Sequence, residues 1–432
     1  MNTVTIETGT LIGAKTAHGH VFYSIPYAAP PVGDLRFAPP APPMAWEGVR
    51  DATRPLARPW MTDPKPGAPV WQEFYADPDY LLPFDEDSLY VHVWTPADTP
   101  DEKRPVAVWI HGGAFAKGYG TEVETDGDGF ASRGVILVSV EYRMAAFGFL
   151  CHPWLSAEQG GRSGNYGLMD QAAALRWVKK NIAAFGGDPG KVTIIGQSAG
   201  GVSVRALCAS PQTEGLFRGA VMQSGGFKPI MGLRTLTEGE SIGKTFTDFL
   251  GVRSLEELRA MPAALLTEKT DAFYAAHAVD SLTFRPVEDG WFLTEQPDEQ
   301  LSAGRARNLS YLFGSNRDDF WAEALMDGRA AYARGLLDQG TPAYVYQFDR
   351  VLPTDRGGVY EGAFHSGEIW YVFETLGRCF RPFEAADREL SRRMADAWCA
   401  FVKTGSPDPD GKLGWDLYRT PEDLYTFDVI RD

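Results

Sequence analysis

The 432-residue chain predicts an α/β protein built on a large, mostly parallel sheet with helices on both faces. Three observations point there. An apolar β-rich run, 192–195, ends in Gly196-Gln197-Ser198-Ala199-Gly200 and passes into a helix-compatible stretch, 202–208. Strand, sharp turn and helix in succession are the setting in which G-x-S-x-G lifts a serine out of a sheet. Residues 105–110 and 134–143 are apolar runs of the kind that form strands buried on both faces. Between these runs, residues 166–185 carry Leu168, Ala172, Leu175, Val178 and Ile182 at helical spacing. Strands alternating with helices imply a parallel sheet with both faces covered.

Taken in order, residues 3–12 alternate around Gly9 and predict an edge hairpin. The proline density of 25–40 forbids a central strand or a helix interior, so this stretch is an extended wrap. Residues 59–86 predict a long loop, and 89–94 a strand. The 105–110 strand runs into His111-Gly-Gly113, a Gly-rich loop. Asp188-Pro-Gly190 predicts a turn ahead of the Ser198 strand. Further strands are expected at 218–223, 309–315 and 343–349, and a last long helix at about 387–404, stopped by Gly405. Residues 230–305 predict a helical insertion over the sheet, within one catalytic domain spanning 1–432.

Net charge is −16 and pI about 5.0, a balance that disfavours nucleic acid and anionic membrane as partners. No apolar run approaches the ~18 residues a spanning helix needs. The first residues, Met1-Asn-Thr-Val-Thr-Ile-Glu7, lack a basic region followed by an apolar one, so the expectation is a cytoplasmic protein without a signal peptide. Cys151, Cys208, Cys379 and Cys399 show no C-x-x-C or metal-ligand spacing and are expected to be reduced thiols. No metal or organic cofactor is expected. The protein is expected to be a monomer or weak oligomer.

A serine hydroxyl is a poor nucleophile and needs a base, which in turn needs a carboxylate to orient it. In the strand–turn–helix arrangement the partners follow in the order serine, acid, histidine. Of seven histidines, only His277 and His365 follow Ser198. His277 lies in a helix-like stretch and reads as an ordinary histidine. His365 lies in a loop after a strand, where it can reach the sheet's carboxyl edge. The 309–315 strand breaks at Gly314 and runs into Asp318 and Asp319, and spacing alone does not choose between them. Backbone N–H groups of Gly112, Gly113 and Ala199 are the candidate oxyanion donors. The side chain of His111, which precedes Ser198, is assigned a structural role.

These motifs resemble the type-B carboxylesterases, the carboxylesterase and cholinesterase group, and within it the small bacterial para-nitrobenzyl esterases. The resemblance runs almost from end to end: Ile25-Pro-Tyr-Ala28, Glu86-Asp-Ser-Leu-Tyr90, His111-Gly-Gly-Ala-Phe115, Gly164-Asn-Tyr-Gly167, Phe185-Gly-Gly-Asp-Pro189, Gln223-Ser-Gly225 and Thr404-Gly-Ser-Pro407. It implies an α/β-hydrolase fold. It also implies Ser198 as nucleophile, His365 as base and Asp319, rather than Asp318, as acid. Ion pairs Arg36–Glu86 and Arg143–Asp170 follow from it, and Ser203 matches a second family serine near the acid, with backbone bonding within its helix as the alternative.

Four departures from the family stand out. Asp319 and Phe320 replace the usual glutamate and glycine. Gln197 replaces a glutamate beside the nucleophile, which removes a negative charge there. Ser88 replaces a disulfide cysteine, so the 60–87 loop is expected to be mobile. Asp319 and His365 are only 46 positions apart, several dozen fewer than in relatives. This shortened roof between 320 and 364 predicts a shallower, more open site.

The expected function is serine carboxylic-ester hydrolysis through an acyl-enzyme, on small-molecule esters with apolar or bulky groups. Phe115, Gln197, Phe227, Phe320, Trp321 and Trp370 are the candidate pocket residues, with core packing as the competing role for each aromatic. Two alternatives stand beside it. One is the same chemistry on an amide, carbamate, thioester or lactone, which a Ser-His-Asp group alone does not distinguish. The other is a non-catalytic binding protein, disfavoured because both serine and histidine are present.

Overall fold

A computed structural model describes residues 1–227, 232–341, 343–357 and 359–430. Twelve strands form its main sheet. The first nine are β1 (Thr3–Ile6), β2 (Gly9–Thr16), β3 (Gly19–Pro26), β4 (Val49–Ala52), β5 (Tyr90–Thr95), β6 (Arg104–Ile110), β7 (Ile136–Val140), β8 (Gly187–Gln197) and β9 (Gly219–Gln223). A separate parallel pair, β10 (Arg234–Thr235) and β11 (Val287–Glu288), lies within the insertion. The main sheet is completed by β12 (Ser310–Asn316), β13 (Ala343–Phe348) and β14 (Tyr425–Phe427). The spatial order is β1-β2-β3-β5-β7-β6-β8-β9-β12-β13-β14, with β4 on β2. From β7 to β14 every pairing is parallel, and the antiparallel pairings are confined to the β1–β7 side.

The hydrophobic pattern explains this layout. All five residues of β7 and of β9 are buried, as expected for strands covered on both faces. The covering helices include Tyr166–Asn181, Ala199–Ala209, Ala322–Leu337 and Ala385–Thr404. The last ends at Gly405, whose φ of 82° is the left-handed conformation that lets a helix stop there. The edge hairpin is β1–β2, closing at Ile6 opposite Gly9. The insertion holds helices Leu236–Leu250, Leu255–Ala260, Ala263–His277 and Pro297–Ser302; residues 230 and 231 of it lie outside the described residues.

One expectation needs correction. Asp188-Pro-Gly190 is not a turn ahead of a strand but lies inside β8. There the register against β6 jumps between Arg104–Gly187 and Val106–Val192. The turn chemistry survives locally, with Gly190 N–H donating to Asp188 Oδ1 at 2.8 Å. The 60–87 loop, expected to be mobile, makes several contacts in the structure. Arg58 donates to the Leu82 carbonyl at 2.8 Å, Trp60 stacks on Phe84 at 5.1 Å, and Glu73 forms a fully buried pair with Arg381 at 2.8 Å.

Both expected ion pairs are present. Arg36 Nε donates to Glu86 Oε1 at 2.7 Å. Arg143 grips Asp170 through Nε at 2.8 Å and Nη2 at 2.7 Å, and its own backbone N–H donates to the same carboxylate at 3.1 Å. Asp170 is completely buried, so removing either partner strands a charge in the core. Asp170→Ala is therefore expected to cost about 3–5 kcal/mol, read as a lower urea midpoint.

Candidate active site

Ser198 stands at the junction of β8 and the helix Ala199–Ala209 with φ 55° and ψ −122°, a conformation a non-glycine residue adopts only when its surroundings force it. The forcing is visible at Gly200. A Cβ there would lie 2.0 Å from the Ile110 carbonyl oxygen, so the start of the helix presses directly on the end of β6. At Gly112 a Cβ would come within 2.8 Å of the Gln197 carbonyl and 3.1 Å of Ser198 Cβ. The Gly-rich loop and the serine turn are thus in van der Waals contact. Among the described residues, the N–H groups of Gly112, Gly113 and Ala199 donate to no protein acceptor, and Gly112 and Gly113 line the cavity that contains Ser198.

His365 lies on that same cavity, and its Nδ1 is bonded to Asp319 Oδ1. The other carboxylate oxygen of Asp319 accepts the Asn316 backbone N–H at 3.0 Å. Asp318 takes a different part. Its carboxylate pairs with Arg317 at 2.7 Å, and its N–H donates to the Ala363 carbonyl at 3.1 Å while Ala363 N–H returns a bond to Asp318 Oδ2 at 2.7 Å. This isolated bridge, Asp318 to Phe364, staples the acid's loop to the base's loop. With Nδ1 committed to Asp319, the free imidazole nitrogen is Nε2. It faces the side-chain amide of Gln197 at 3.3 Å; among the described residues no hydrogen bond joins it to Ser198 Oγ.

Burial works against the charged form of the His365 ring. The Asp319 carboxylate, its hydrogen bond and the nearby Glu368 more than offset this, so the pKa is raised above the ordinary histidine value. Glu368 is fully buried, and burial, then the charge of Asp319, push its carboxyl up to about 7. Its oxygens accept from Gln223 at 3.2 Å and Asn316 at 2.6 Å. Glu368 and Asn316 were not singled out from sequence; their positions, three residues after His365 and three before Asp319, are the available signal.

The cavity, about 410 Å³, is lined by Gln197, Phe227, Phe320 and Trp321 as expected. Phe320 packs on the His365 ring at 4.9 Å and is half exposed, as is Trp321. Two expected lining residues do not reach it. Phe115 is fully buried and packs on Phe149 at 4.9 Å. Trp370 is fully buried and stacks at 6.0 Å behind Phe74, which does line the cavity. For both, the core outcompeted the site because a large ring gains most from complete burial. Ser203 accepts from Gln171 at 3.1 Å, so its partner is a neighbouring helix rather than Asp319 or its own backbone. His111 is buried, stacked on Tyr142 at 4.3 Å, and acts within the fold. Lining residues that the sequence did not suggest include Phe74, Tyr75, Trp109, Lys117, Glu122 and Glu124.

A serine on a strained strand-to-helix turn, above a mostly parallel sheet, with orphan N–H groups beside it and a carboxylate-bound imidazole on the same cavity, defines an α/β-hydrolase. The comparisons narrow the class. The sequence model of the carboxylesterase family matches residues 1–333 and 326–429. The para-nitrobenzyl esterase of Bacillus subtilis (strain 168) is 34% identical over 478 aligned positions, covering 96% of this chain and 92% of the relative. The fumonisin B1 esterase of Sphingopyxis macrogoltabida is 33% identical, covering 94% and 83%. A solved PNB esterase structure superposes with a TM-score of 0.85 at 32% identity, covering 99% of this chain and 96% of that one. The chain belongs to the carboxylesterase family, and its class of activity is carboxylic-ester hydrolysis. Among the described residues no helix is long and apolar enough to cross a membrane.

Proposed function

We propose that the chain is a serine esterase working through an acyl-enzyme, with Ser198 as nucleophile, His365 as general base and Asp319 as the acid that fixes the imidazole. The observation that carries this is the pairing of His365 Nδ1 with Asp319 on the cavity that holds Ser198. That bond makes Nε2 the proton acceptor. Because Nε2 now meets the Gln197 amide, attack requires the imidazole to exchange that partner for the Ser198 hydroxyl; catalytic bonds in unliganded sites are often loose in this way. Ser198 Oγ then adds to the ester carbonyl, and the N–H groups of Gly112, Gly113 and Ala199 receive the oxyanion. The imidazolium protonates the departing alcohol, and water, deprotonated by the same ring, releases the acid.

The substrates proposed are small-molecule esters with apolar or bulky groups. Supporting this are the cavity volume, which lies in the range of sites for drug-sized ligands, and the half-exposed Phe320 and Trp321 at its wall. The alignment to the Bacillus relative spans 478 positions against a 432-residue chain, so that relative carries segments this chain lacks, in keeping with a shortened roof.

Rapid mixing with 4-nitrophenyl acetate tests the mechanism: a burst of nitrophenolate equal to the enzyme concentration is expected, and a purely linear trace together with no acetylated Ser198 by mass spectrometry would sink it. The pH profile follows from the base. His365 must be neutral to accept a proton and its pKa is raised, so kcat/KM should climb with pH through an inflection above 6.5 and be lost on the acid side. An inflection below the ordinary histidine value would exclude this arrangement.

A further inference from the structure

Among the described residues, Lys117 is the one lysine or arginine that lines the Ser198 cavity, and ester hydrolysis gives it no task. The turn after the Gly-rich loop places it there. Lys117 N–H donates to the Gly113 carbonyl at 3.0 Å, and a Cβ on Gly113 would lie 3.1 Å from Lys117 Cγ. The stem of the lysine therefore runs along the oxyanion loop itself. The side chain is half-buried and open to the cavity. Among the described residues its ammonium has no hydrogen-bond or salt-bridge partner.

The acidic groups on the cavity do not neutralise it. Glu122 is bonded by the Tyr75 hydroxyl. Burial, chiefly, pushes the Glu122 carboxyl up to about 7 and that of Glu124 well above the usual carboxylate range, so both are held toward the uncharged form. Asp280 also lines the cavity, and its carboxylate accepts the Leu282 N–H at 3.0 Å. Burial lowers the pKa of Lys117, against the pull of Glu122, as expected of a cation short of a counter-charge. His365, the other group on the cavity that can turn positive, is already bound to Asp319. Beside the nucleophile stands Gln197 in place of the family's usual glutamate, so no carboxylate at that position repels an anion.

We propose that Lys117 makes this part of the cavity a subsite for a carboxylate that the substrate carries in addition to its scissile ester. An ammonium and a carboxylate form a strong charge-assisted bond, and in a half-buried cavity it is screened less by salt than at the open surface. A singly charged anion fits best: one ammonium matches one negative charge, whereas a dianion would leave a second charge desolvated and unpaired. The net charge of −16 acts against distant anions, but salt confines that repulsion to about 8 Å, and the contact with Lys117 is made inside the cavity. Because the lysine stem lies on the oxyanion loop, the second carboxylate sits a short chain away from the ester. The substrates so defined are half-esters of short dicarboxylic acids or short acyloxy acids.

This subsite rests on reading the cavity as the ester site, and the two fail separately. The experiment compares kcat/KM within two matched pairs. Monoethyl adipate against ethyl adipamate places the carboxylate in the acyl part; 4-acetoxybutanoate against 4-acetoxybutanamide places it in the alcohol part. In the wild type the anionic member of one pair should exceed its neutral amide by at least about tenfold, and the pair that does so identifies the side Lys117 serves. In Lys117→Met that ratio should fall to one or below, and in Lys117→Arg it should persist. The ratio is taken within each variant, so loss of folded enzyme cancels. A lysine acting only on the oxyanion would slow both members alike and leave the ratio unmoved. Wild-type ratios near one or less in both pairs, or a ratio that Lys117→Met does not lower, overturn the subsite while Ser198-dependent turnover of the neutral esters stands. Turnover that persists in Ser198→Ala overturns the ester-site reading and this one with it.

Discussion

Ser198→Ala is expected to lower kcat on 4-nitrophenyl acetate by about 10⁴–10⁶ with little change in KM. The substitution removes a single oxygen at a position whose backbone is held by Gly200 against β6 and by the Ser198 N–H bond to the Gln223 carbonyl at 2.8 Å. The fold therefore has no reason to relax, and a circular dichroism melt should overlay the wild type. The variant should also stop reacting with a fluorophosphonate probe. Wild-type turnover by Ser198→Ala would remove the nucleophile assignment and with it the acyl-enzyme.

Asp319→Asn is expected to be the next most damaging change, at about 10⁴ in kcat. The asparagine keeps the size of the side chain, and its carbonyl can still accept the Asn316 N–H in place of Oδ2. Its amide then turns an N–H toward His365 Nδ1, which forces the ring's proton onto Nε2, the nitrogen that must be free to accept one. The defect is one of tautomer rather than of structure. The inflection in kcat/KM should also move down, because the carboxylate that raised the imidazole's pKa is gone. A variant that retains more than a tenth of wild-type kcat would place the orienting carboxylate elsewhere, with buried Glu368 the nearest alternative.

The parts of the molecule legible in sequence are those whose cause is local. The strand–turn–helix around Ser198 could be read because glycine is needed at fixed offsets, and the structure shows what each glycine makes room for. The buried strands β6, β7 and β9 could be read because burial on both faces leaves an uninterrupted apolar run. The choice of Asp319 over Asp318 could not be made from spacing. Neighbours on one turn point in opposite directions, and only the fold decides which meets His365 and which meets Arg317. Phe115 and Trp370 misled for a related reason: proximity in sequence to the oxyanion loop or to His365 says nothing about whether a ring turns inward. Glu122 and Glu124 went unnoticed because glutamate in a loop ordinarily faces water, whereas here both are buried and Glu122 meets the hydroxyl of Tyr75, a segment far away in the chain.

The stitch between residues 318 and 363 bears on how this site tolerates change. One of its two bonds runs from main-chain nitrogen to main-chain oxygen, beyond the reach of any side-chain replacement other than proline. The spacing between the Asp319 loop and the His365 loop is thereby built into the polypeptide itself. Drift in the surrounding surface can recolour the mouth of the enzyme and alter which molecules enter, while the carboxylate of Asp319 and the imidazole of His365 stay within reach of each other.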